Sequence, residues 1–210
     1  MEIPSGRIEW FLKSAGFGVL LFLVWGAFSL RNGMRLSREF TFIGALWFIY
    51  NVTISLLFLI RTRPIAVSMN PVHWVVGLVT SFSGFLFSPQ MTTNNAAVMA
   101  SADSLIVAAI LLGIATALTL GRSYDFLPAL RGVKTGGVYR IVRHPMYLSS
   151  IAIKLGYTLR HGSIYNVLLL VCVVILYDRR ARYEEQVMSR SNAYADYLKK
   201  VRYRFLPRLY

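Results

Sequence analysis

Residues 40–60 read FTFIGALWFIYNVTISLLFLI, and no charged side chain interrupts this run. A helix needs about 20 apolar residues to cross the hydrocarbon of a bilayer, so the run predicts a transmembrane helix. Three runs of similar character cover residues 8–30, 72–88 and 98–120. The first of them is longer than the apolar region of a signal peptide, and no small-residue cleavage site follows it, so we interpret it as a retained transmembrane helix.

Two shorter apolar segments complete the pattern, at residues 147–159 and 164–177. His161, Gly162 and Ser163 separate them, as expected for the turn of a helical hairpin. The sequence therefore predicts an all-α, polytopic integral membrane protein with about six transmembrane helices. Its last two apolar helices form the hairpin, and an amphipathic cytoplasmic tail follows them.

Composition agrees with a membrane location. Hydrophobic residues make up 56% of the 210 residues and charged residues only 15%, against about 25% charged in a soluble domain. The net charge is +14, but the basic residues fall between and after the apolar runs rather than along a soluble surface, which argues against nucleic-acid binding. Cys172 is the single cysteine, so neither an intrachain disulfide nor a cysteine metal cluster can form.

The distribution of Lys and Arg predicts the orientation of the helices. With both termini in the cytoplasm, 17 basic residues lie in inside segments and four in outside loops. The loop at 89–101 has none, as an outside loop should. Arg31, Arg35 and Arg38 are the exception, because this orientation places them outside. We expect an integral protein of the inner, or plasma, membrane of a bacterium.

The residues that could carry chemistry lie mostly after residue 120. We therefore divide one structural domain into a four-helix membrane platform, 1–120, and a catalytic half, 121–210. No glycine-rich dinucleotide or Walker A loop occurs, nor any H-E-x-x-H or G-x-S-x-G motif. The three histidines, His73, His144 and His161, are too scattered to indicate a metal site.

The most unusual stretch is GGVYRIVRHPMY at residues 136–147. Its glycines allow close approach of the backbone to a ligand, and Pro145 favours an extended His144 followed by a helix start. A helix N-terminus offers free N–H groups beside the polar donors of Arg143 and His144. The alternative is an interfacial loop, with a snorkelling arginine and Tyr147 as an aromatic anchor.

A second polar stretch, DRRARYEEQ at residues 178–186, follows the last apolar segment without a helix breaker. The last helix should therefore continue out of the membrane. Arg180 and Glu184 share one face, as do Arg182 and Glu185, so the residues could simply form surface ion pairs. Alternatively they form a polar pocket, in which carboxylates accept from hydroxyls or an ammonium and arginines bind a carboxylate.

Two further features remain open on the residues alone. The stretch YADYLKKVRYRFLP at 194–207 interleaves aromatic and basic side chains, which suits an interfacial helix and carries no chemistry by itself. Lys154 lies inside a short apolar segment, where an ionisable residue is a functional candidate. Snorkelling of its ammonium to the nearby interface is the favoured interpretation.

Together the three stretches resemble the isoprenylcysteine carboxyl methyltransferase family, its bacterial relatives and the wider group of phospholipid N-methyltransferases. The matching pattern is G-x-Y-R-x-x-R-H-P-x-Y at 137–147, an apolar hairpin, R-x-R-x-E-E at 180–185, and Y-x-x-Y at 194–197. The resemblance covers about residues 119–208. Ser191-Asn192 stands where many relatives have Phe-Gly, which favours a bacterial relative over the eukaryotic enzymes.

The resemblance implies S-adenosylmethionine as the cofactor and a lipophilic acceptor, such as the carboxylate of an isoprenylcysteine-like molecule. By carry-over, the residues that bind the cofactor are Tyr139, Arg143, His144, Pro145, Tyr147 and Glu185. Those that orient the acceptor for catalysis are Arg180, Arg182 and Glu184. The expected partners are the acceptor and membrane lipid.

Two other functions stay open. Sterol-reductase-like membrane enzymes share a related C-terminal architecture and use NADPH. A non-enzymatic module would instead use the basic tail to bind anionic lipid.

Overall fold

The computed structural model describes residues 5–207. Eight α-helices dominate this part of the chain. In chain order they are α1 Ser5–Lys13, α2 Ala15–Arg38, α3 Phe42–Ile60, α4 Pro71–Phe82, α5 Ala96–Leu120, α6 Pro145–Arg160, α7 Ile164–Met188 and α8 Asn192–Lys200. Short 3-10 helices cover Ser83–Leu86, Gly121–Ser123 and Gly137–Arg140. The prediction of an almost entirely helical chain is confirmed.

Polar residues at the breaks of the apolar pattern cap the helices. Thr41 accepts from the amide of Gly44 at the start of α3, and Asn95 accepts from two amides at the start of α5. Asn70 caps α4, with a proline in the first turn, and Ser163 caps α7. Each cap satisfies amides that have no partner within the helix, so the helices begin where the sequence changes from turn to apolar residues.

Three helices are long and apolar enough to cross a membrane, namely Ala15–Arg38, Phe42–Ile60 and the helical stretch Ala96–Ser123. The remaining apolar helices are shorter: α4 has 12 residues and α6 has 16. The apolar part of α7, residues 164–177, spans about 21 Å at 1.5 Å per residue, which is less than the hydrocarbon thickness of about 30 Å. The chain is a membrane protein, while the count of six spans stays a prediction. Both chain termini, predicted to be cytoplasmic, lie outside the described residues.

The first predicted helix, 8–30, has different bounds in the structure. Ser14 adopts an extended backbone and caps α2 through the amide of Phe17, so the run divides into α1 and α2. Helix α2 continues to Arg38. It contains no proline, and its glycines do not end it. The predicted extension of the last helix beyond residue 177 is confirmed, since α7 ends at Met188.

Close helix packing holds the bundle together. A Cβ atom at Gly156 of α6 would lie 2.6 Å from Cγ1 of Ile106 and 3.0 Å from the carbonyl oxygen of Ala102, both on α5. The outward faces carry exposed apolar side chains, as the lipid-facing surfaces of membrane helices do. Phe58 and Ile110 are fully buried between the helices.

A small two-stranded sheet departs from the all-α prediction. Ala66–Val67 (β1) pairs antiparallel with Ala129–Leu130 (β2) and fixes the loop that precedes α6. Asp125 in this loop forms ion pairs with Arg61 at 2.8 Å and with Arg131 at 2.6 Å, and all three side chains are buried. These contacts join segments far apart in the sequence, which local periodicity does not reveal.

Candidate active site

A cavity of about 530 Å³ lies between the helices and has two chemically different regions. We call the first the polar end, lined by Tyr139, Arg143, His144, Tyr147, Glu184 and Tyr194. We call the second the membrane half, lined by Trp25, Trp47, Ile110 and Lys154 on α2, α3, α5 and α6. The volume falls within the range of about 300–1,000 Å³ typical of sites for small molecules.

His144 lies at the centre of the polar end. Pro145 begins α6, as the sequence predicts, but His144 has φ −126° and ψ 59°, so the extended backbone predicted for it is wrong. The ring is only 6% exposed and lies between two carboxylates of α7. Nε2 is 3.0 Å from Oε1 of Glu185, and Nδ1 is 3.7 Å from Oε2 of Glu184. The ring also stacks on Tyr147 with a centroid distance of 5.2 Å, so its orientation is fixed from three sides.

Glu185 forms the strongest ionic network of the site. Besides His144, it accepts from Arg143 at 3.0 Å and from Arg204 at 2.8 Å. Burial alone would raise the pKa of Glu185, but hydrogen bonds from His144 and Arg204 outweigh burial and lower this pKa to about 2. Glu185 is therefore ionised at neutral pH and orients the imidazole ring and the two arginines.

Glu184 and Tyr147 form a second contact between α6 and α7. The Tyr147 hydroxyl donates to Oε2 of Glu184 at 2.6 Å, and both residues line the cavity. The guanidinium carbon of Arg180 lies over the Tyr147 ring, 5.1 Å from its centroid. A carboxylate, a phenol and an imidazole thus meet at one surface of the polar end.

Arg180 is buried and binds atoms of the protein. Nη1 donates to the hydroxyls of Thr80 at 2.8 Å and Ser81 at 3.0 Å, and Nη2 donates to the carbonyl oxygen of Phe126 at 2.8 Å. The residue lines the cavity, but its guanidinium mainly ties α7 to α4 and to the loop before α6. This arrangement gives Arg180 a structural part in holding the cavity wall.

Arg182 lies on another side of α7. It donates through Nε to Asp178 at 2.8 Å, and its side chain is 48% exposed. Asp178 also accepts from Arg204 at 3.0 Å, which links this pair to the Glu185 network. Of the predicted site residues, Pro145, Arg182 and Glu185 are absent from the cavity wall as formed by residues 5–207.

The chain beyond α8 closes over the His144 loop, a contact that the sequence interpretation missed. The amides of Arg143 and His144 donate to the carbonyl oxygens of Tyr203 and Arg204 at 2.9 and 3.0 Å. The stretch 194–207 was predicted to be an interfacial helix without chemistry of its own, but helix α8 ends at Lys200. No local pattern marks Arg204, because its carboxylate partner lies 19 residues earlier in the chain.

Tyrosines complete the polar end. Tyr139 is buried, and burial raises its pKa well above the ordinary value, so its phenol stays protonated. The Tyr197 hydroxyl donates to the carbonyl oxygen of Tyr139 at 2.7 Å, which ties α8 to the glycine-containing loop. Gly137 in that loop has a φ of +55°, a conformation that favours glycine.

Five buried polar atoms lack a hydrogen-bond partner within residues 5–207. They are Trp25 Nε1, Arg131 Nη2, Arg143 Nε, Arg180 Nε and the Tyr194 hydroxyl oxygen. All five residues line the cavity. Buried polar groups in proteins are nearly always hydrogen-bonded, so this concentration indicates that the cavity is built to receive a ligand with hydrogen-bond acceptors.

Residues 96–195 match the family model described as phospholipid methyltransferase. This segment is a phospholipid methyltransferase family domain. It begins at the first residue of α5 and includes the His144 loop, the α6–α7 hairpin, both glutamates and Tyr194. No curated protein gives a significant match to the chain. The family match and the apolar helices together support a membrane methyltransferase.

Proposed function

We propose that this methyltransferase uses S-adenosylmethionine and modifies a lipophilic acceptor that enters the cavity from the membrane. One observation carries the proposal: the cavity joins the polar end, built from the two motifs of the family domain, to an apolar region between membrane-crossing helices. The carboxylate of an isoprenylcysteine-like molecule is the acceptor class we favour.

The polar end fits the proposed cofactor. S-adenosylmethionine carries a carboxylate and ribose hydroxyls, which can accept from the unpartnered Arg143 Nε and Tyr194 hydroxyl. Tyr139, His144, Tyr147 and Glu184 would form the remaining wall. When bound, the cofactor supplies a methyl group activated on a sulfonium.

The protein contributes alignment and exclusion of water. Methyl transfer to an ionised carboxylate needs orientation more than proton transfer. Glu185, with Pro145 at the helix start, would hold His144 in place, and Arg180 would hold the α7 wall against α4. Because both reactants lose charge in such a transfer, a dry site favours it.

We also propose that the polar end faces the cytoplasm, where the cofactor is made. The count of basic residues supports this orientation. A topology reporter inserted in the 89–95 loop should then indicate an external location, and one in the 131–136 loop should indicate a cytoplasmic location. The opposite result would separate the polar end from the cofactor pool.

Ligand binding tests the cofactor assignment. The purified protein in lipid should gain thermal stability with S-adenosylhomocysteine, by mass action on the folded state. NADPH in a parallel titration should give no shift. Stabilisation by NADPH alone would instead assign the reductase-like function, and no shift with either ligand would favour the lipid-binding module.

A further inference from the structure

Lys154 is a cation on the cavity wall, in the short apolar helix α6. It lies seven residues beyond Tyr147 on α6, which places its Cα about 10 Å deeper along the helix. Both residues line the same cavity, Lys154 in the membrane half and Tyr147 in the polar end. A charged residue at such a depth is costly unless it has a functional partner.

The lysine ammonium points into the protein instead of reaching for the interface. Nζ is 3.4 Å from the Tyr177 hydroxyl and 5.3 Å from the centroid of the Tyr177 ring. Tyr177 is itself buried and donates to the carbonyl oxygen of Thr80. These contacts favour the functional interpretation of Lys154 over the snorkelling that the sequence favoured.

Lys154 has no carboxylate partner within residues 5–207. The two carboxylates on the cavity wall are Asp125 and Glu184, and each is already engaged. Asp125 pairs with Arg61 and Arg131, and Glu184 accepts from Tyr147. Among residues 5–207, no carboxylate therefore balances this charge in the membrane half, and holding such a charge in an apolar region is costly without an anion.

Most donors of the arginines expected to bind an anionic acceptor are used elsewhere, and Arg180 Nε is the exception within residues 5–207. Arg180 Nη1 and Nη2 donate to four groups of the protein, and Arg182 pairs with Asp178 outside the cavity wall. A second donor in the membrane half is Trp25 Nε1, which is buried and has no hydrogen-bond partner among the described residues. Lys154 and Trp25 offer donors only, so their complement is a group with acceptor oxygens.

We propose that Lys154 binds the anionic head, a carboxylate or a phosphate, of an amphiphile whose apolar chain occupies the membrane half. Lys154 then determines acceptor specificity at this methyltransferase, a role that rests on the proposed function. The binding site itself depends only on the cavity and its unbalanced charge.

Energy transfer from tryptophan to cis-parinaric acid tests this proposal, since Trp25 and Trp47 line the cavity. The protein is placed in nanodiscs of phosphatidylcholine, and the bound fluorescent acid is displaced by oleate, oleyl phosphate or methyl oleate. Methyl oleate partitions into the bilayer but carries no charge. A charge-assisted hydrogen bond predicts displacement by an anionic competitor at concentrations at least about tenfold lower than by methyl oleate.

Three variants test whether the preference for an anionic competitor depends on Lys154. Lys154→Met should abolish the preference for an anionic competitor, and Lys154→Arg should restore it. Lys200→Met, at an exposed position of α8, should behave as wild type. The stronger of oleate and oleyl phosphate identifies the head group. The proposal is wrong if wild type does not bind the probe saturably, prefers methyl oleate, or keeps its preference in Lys154→Met.

Binding of S-adenosylhomocysteine is measured on the same samples as an independent readout. Lys154→Met should retain it, which shows that this variant is folded. If wild type binds oleate through Lys154 but not S-adenosylhomocysteine, the anion site stands and the proposed function fails.

Discussion

The two regions of the cavity differ in whether the described residues supply oppositely charged partners for the charged side chains. In the polar end, Glu185 contacts His144, Arg143 and Arg204, so the protein supplies partners for its own ions. In the membrane half, the Lys154 ammonium contacts a phenol and a backbone carbonyl oxygen. On our proposal, the polar end is preorganised before ligands bind, while the membrane half is completed by its ligand.

The family domain covers the polar end and part of the membrane half. Residues 96–195 include the main parts of the polar end together with Ile110 and Lys154 of the membrane half, whereas Trp25 and Trp47 lie before the matched segment. Arg180 connects the two, because it belongs to α7 and donates to Thr80 and Ser81 at α4. We therefore infer that the N-terminal helices and the domain together shape the acceptor region, and that the domain supplies the cofactor region.

The largest effect is expected from breaking the Arg180 connection. In Arg180→Lys, a single ammonium replaces the planar guanidinium and cannot reach Thr80, Ser81 and the Phe126 carbonyl oxygen together. Buried acceptors would therefore lose their donors. The free energy of unfolding should fall by about 3 kcal/mol. The measurement is thermal or denaturant unfolding in a fixed detergent.

Arg182→Lys is the matched control on the same helix. Its pair with Asp178 is partly exposed, so the change should be below about 1 kcal/mol. Equal losses in the two variants would show that Arg180 does not hold α7 to α4.

A smaller effect is expected from titrating Glu185. Its folded-state pKa of about 2 lies below the ordinary value of 4.5, so its stabilisation is complete above that ordinary value. The stabilisation is lost as the pH falls from 4.5 towards 2, and it amounts to about 2–3 kcal/mol. Unfolding measured across this range should show that loss in wild type.

Glu185→Gln should be less stable than wild type at neutral pH and should lose less stability on acidification. Asp196→Asn is the control, because Asp196 pairs with Lys199 on the exposed face of α8. It should keep the wild-type dependence on pH. A Glu185→Gln curve parallel to wild type would contradict the assigned network.

The smallest effect separates the two ends of the cavity. His144→Ala removes a wall of the polar end and should weaken binding of S-adenosylhomocysteine by about tenfold, or about 1.4 kcal/mol. Lys154→Met should leave that affinity unchanged, because it alters the membrane half only. Isothermal titration in nanodiscs measures both. Loss of affinity in Lys154→Met alone would reverse the assignment of the two regions.

Local features of this chain could be predicted from the sequence. Pro145 begins α6, Ser163 caps α7 after the predicted turn, and α7 continues past its apolar segment. Each depends on neighbouring residues, since capping, helix starts and apolar periodicity act over a few positions. The chain order of the motifs was also enough to indicate the family, although it did not give their contacts.

Contacts between distant segments could not be predicted. Arg180 binds Thr80, 100 residues earlier, and the chain near Arg204 covers the His144 loop. A single sequence contains no signal for such pairs, because many arginines compete for the same acceptors until packing selects one. The break at Ser14 was missed for a different reason: one serine in an apolar run fits a helix interior and a cap equally well.

Transfer of a labelled methyl group tests the central claim most directly. Wild-type protein in nanodiscs is incubated with methyl-labelled S-adenosylmethionine and a bacterial lipid extract, and the products are partitioned between water and organic solvent. We predict label in the organic phase for wild type, and a strong loss of that label in His144→Ala. Label confined to the aqueous phase, or no transfer by a protein that binds S-adenosylhomocysteine, would contradict methylation of a lipophilic acceptor.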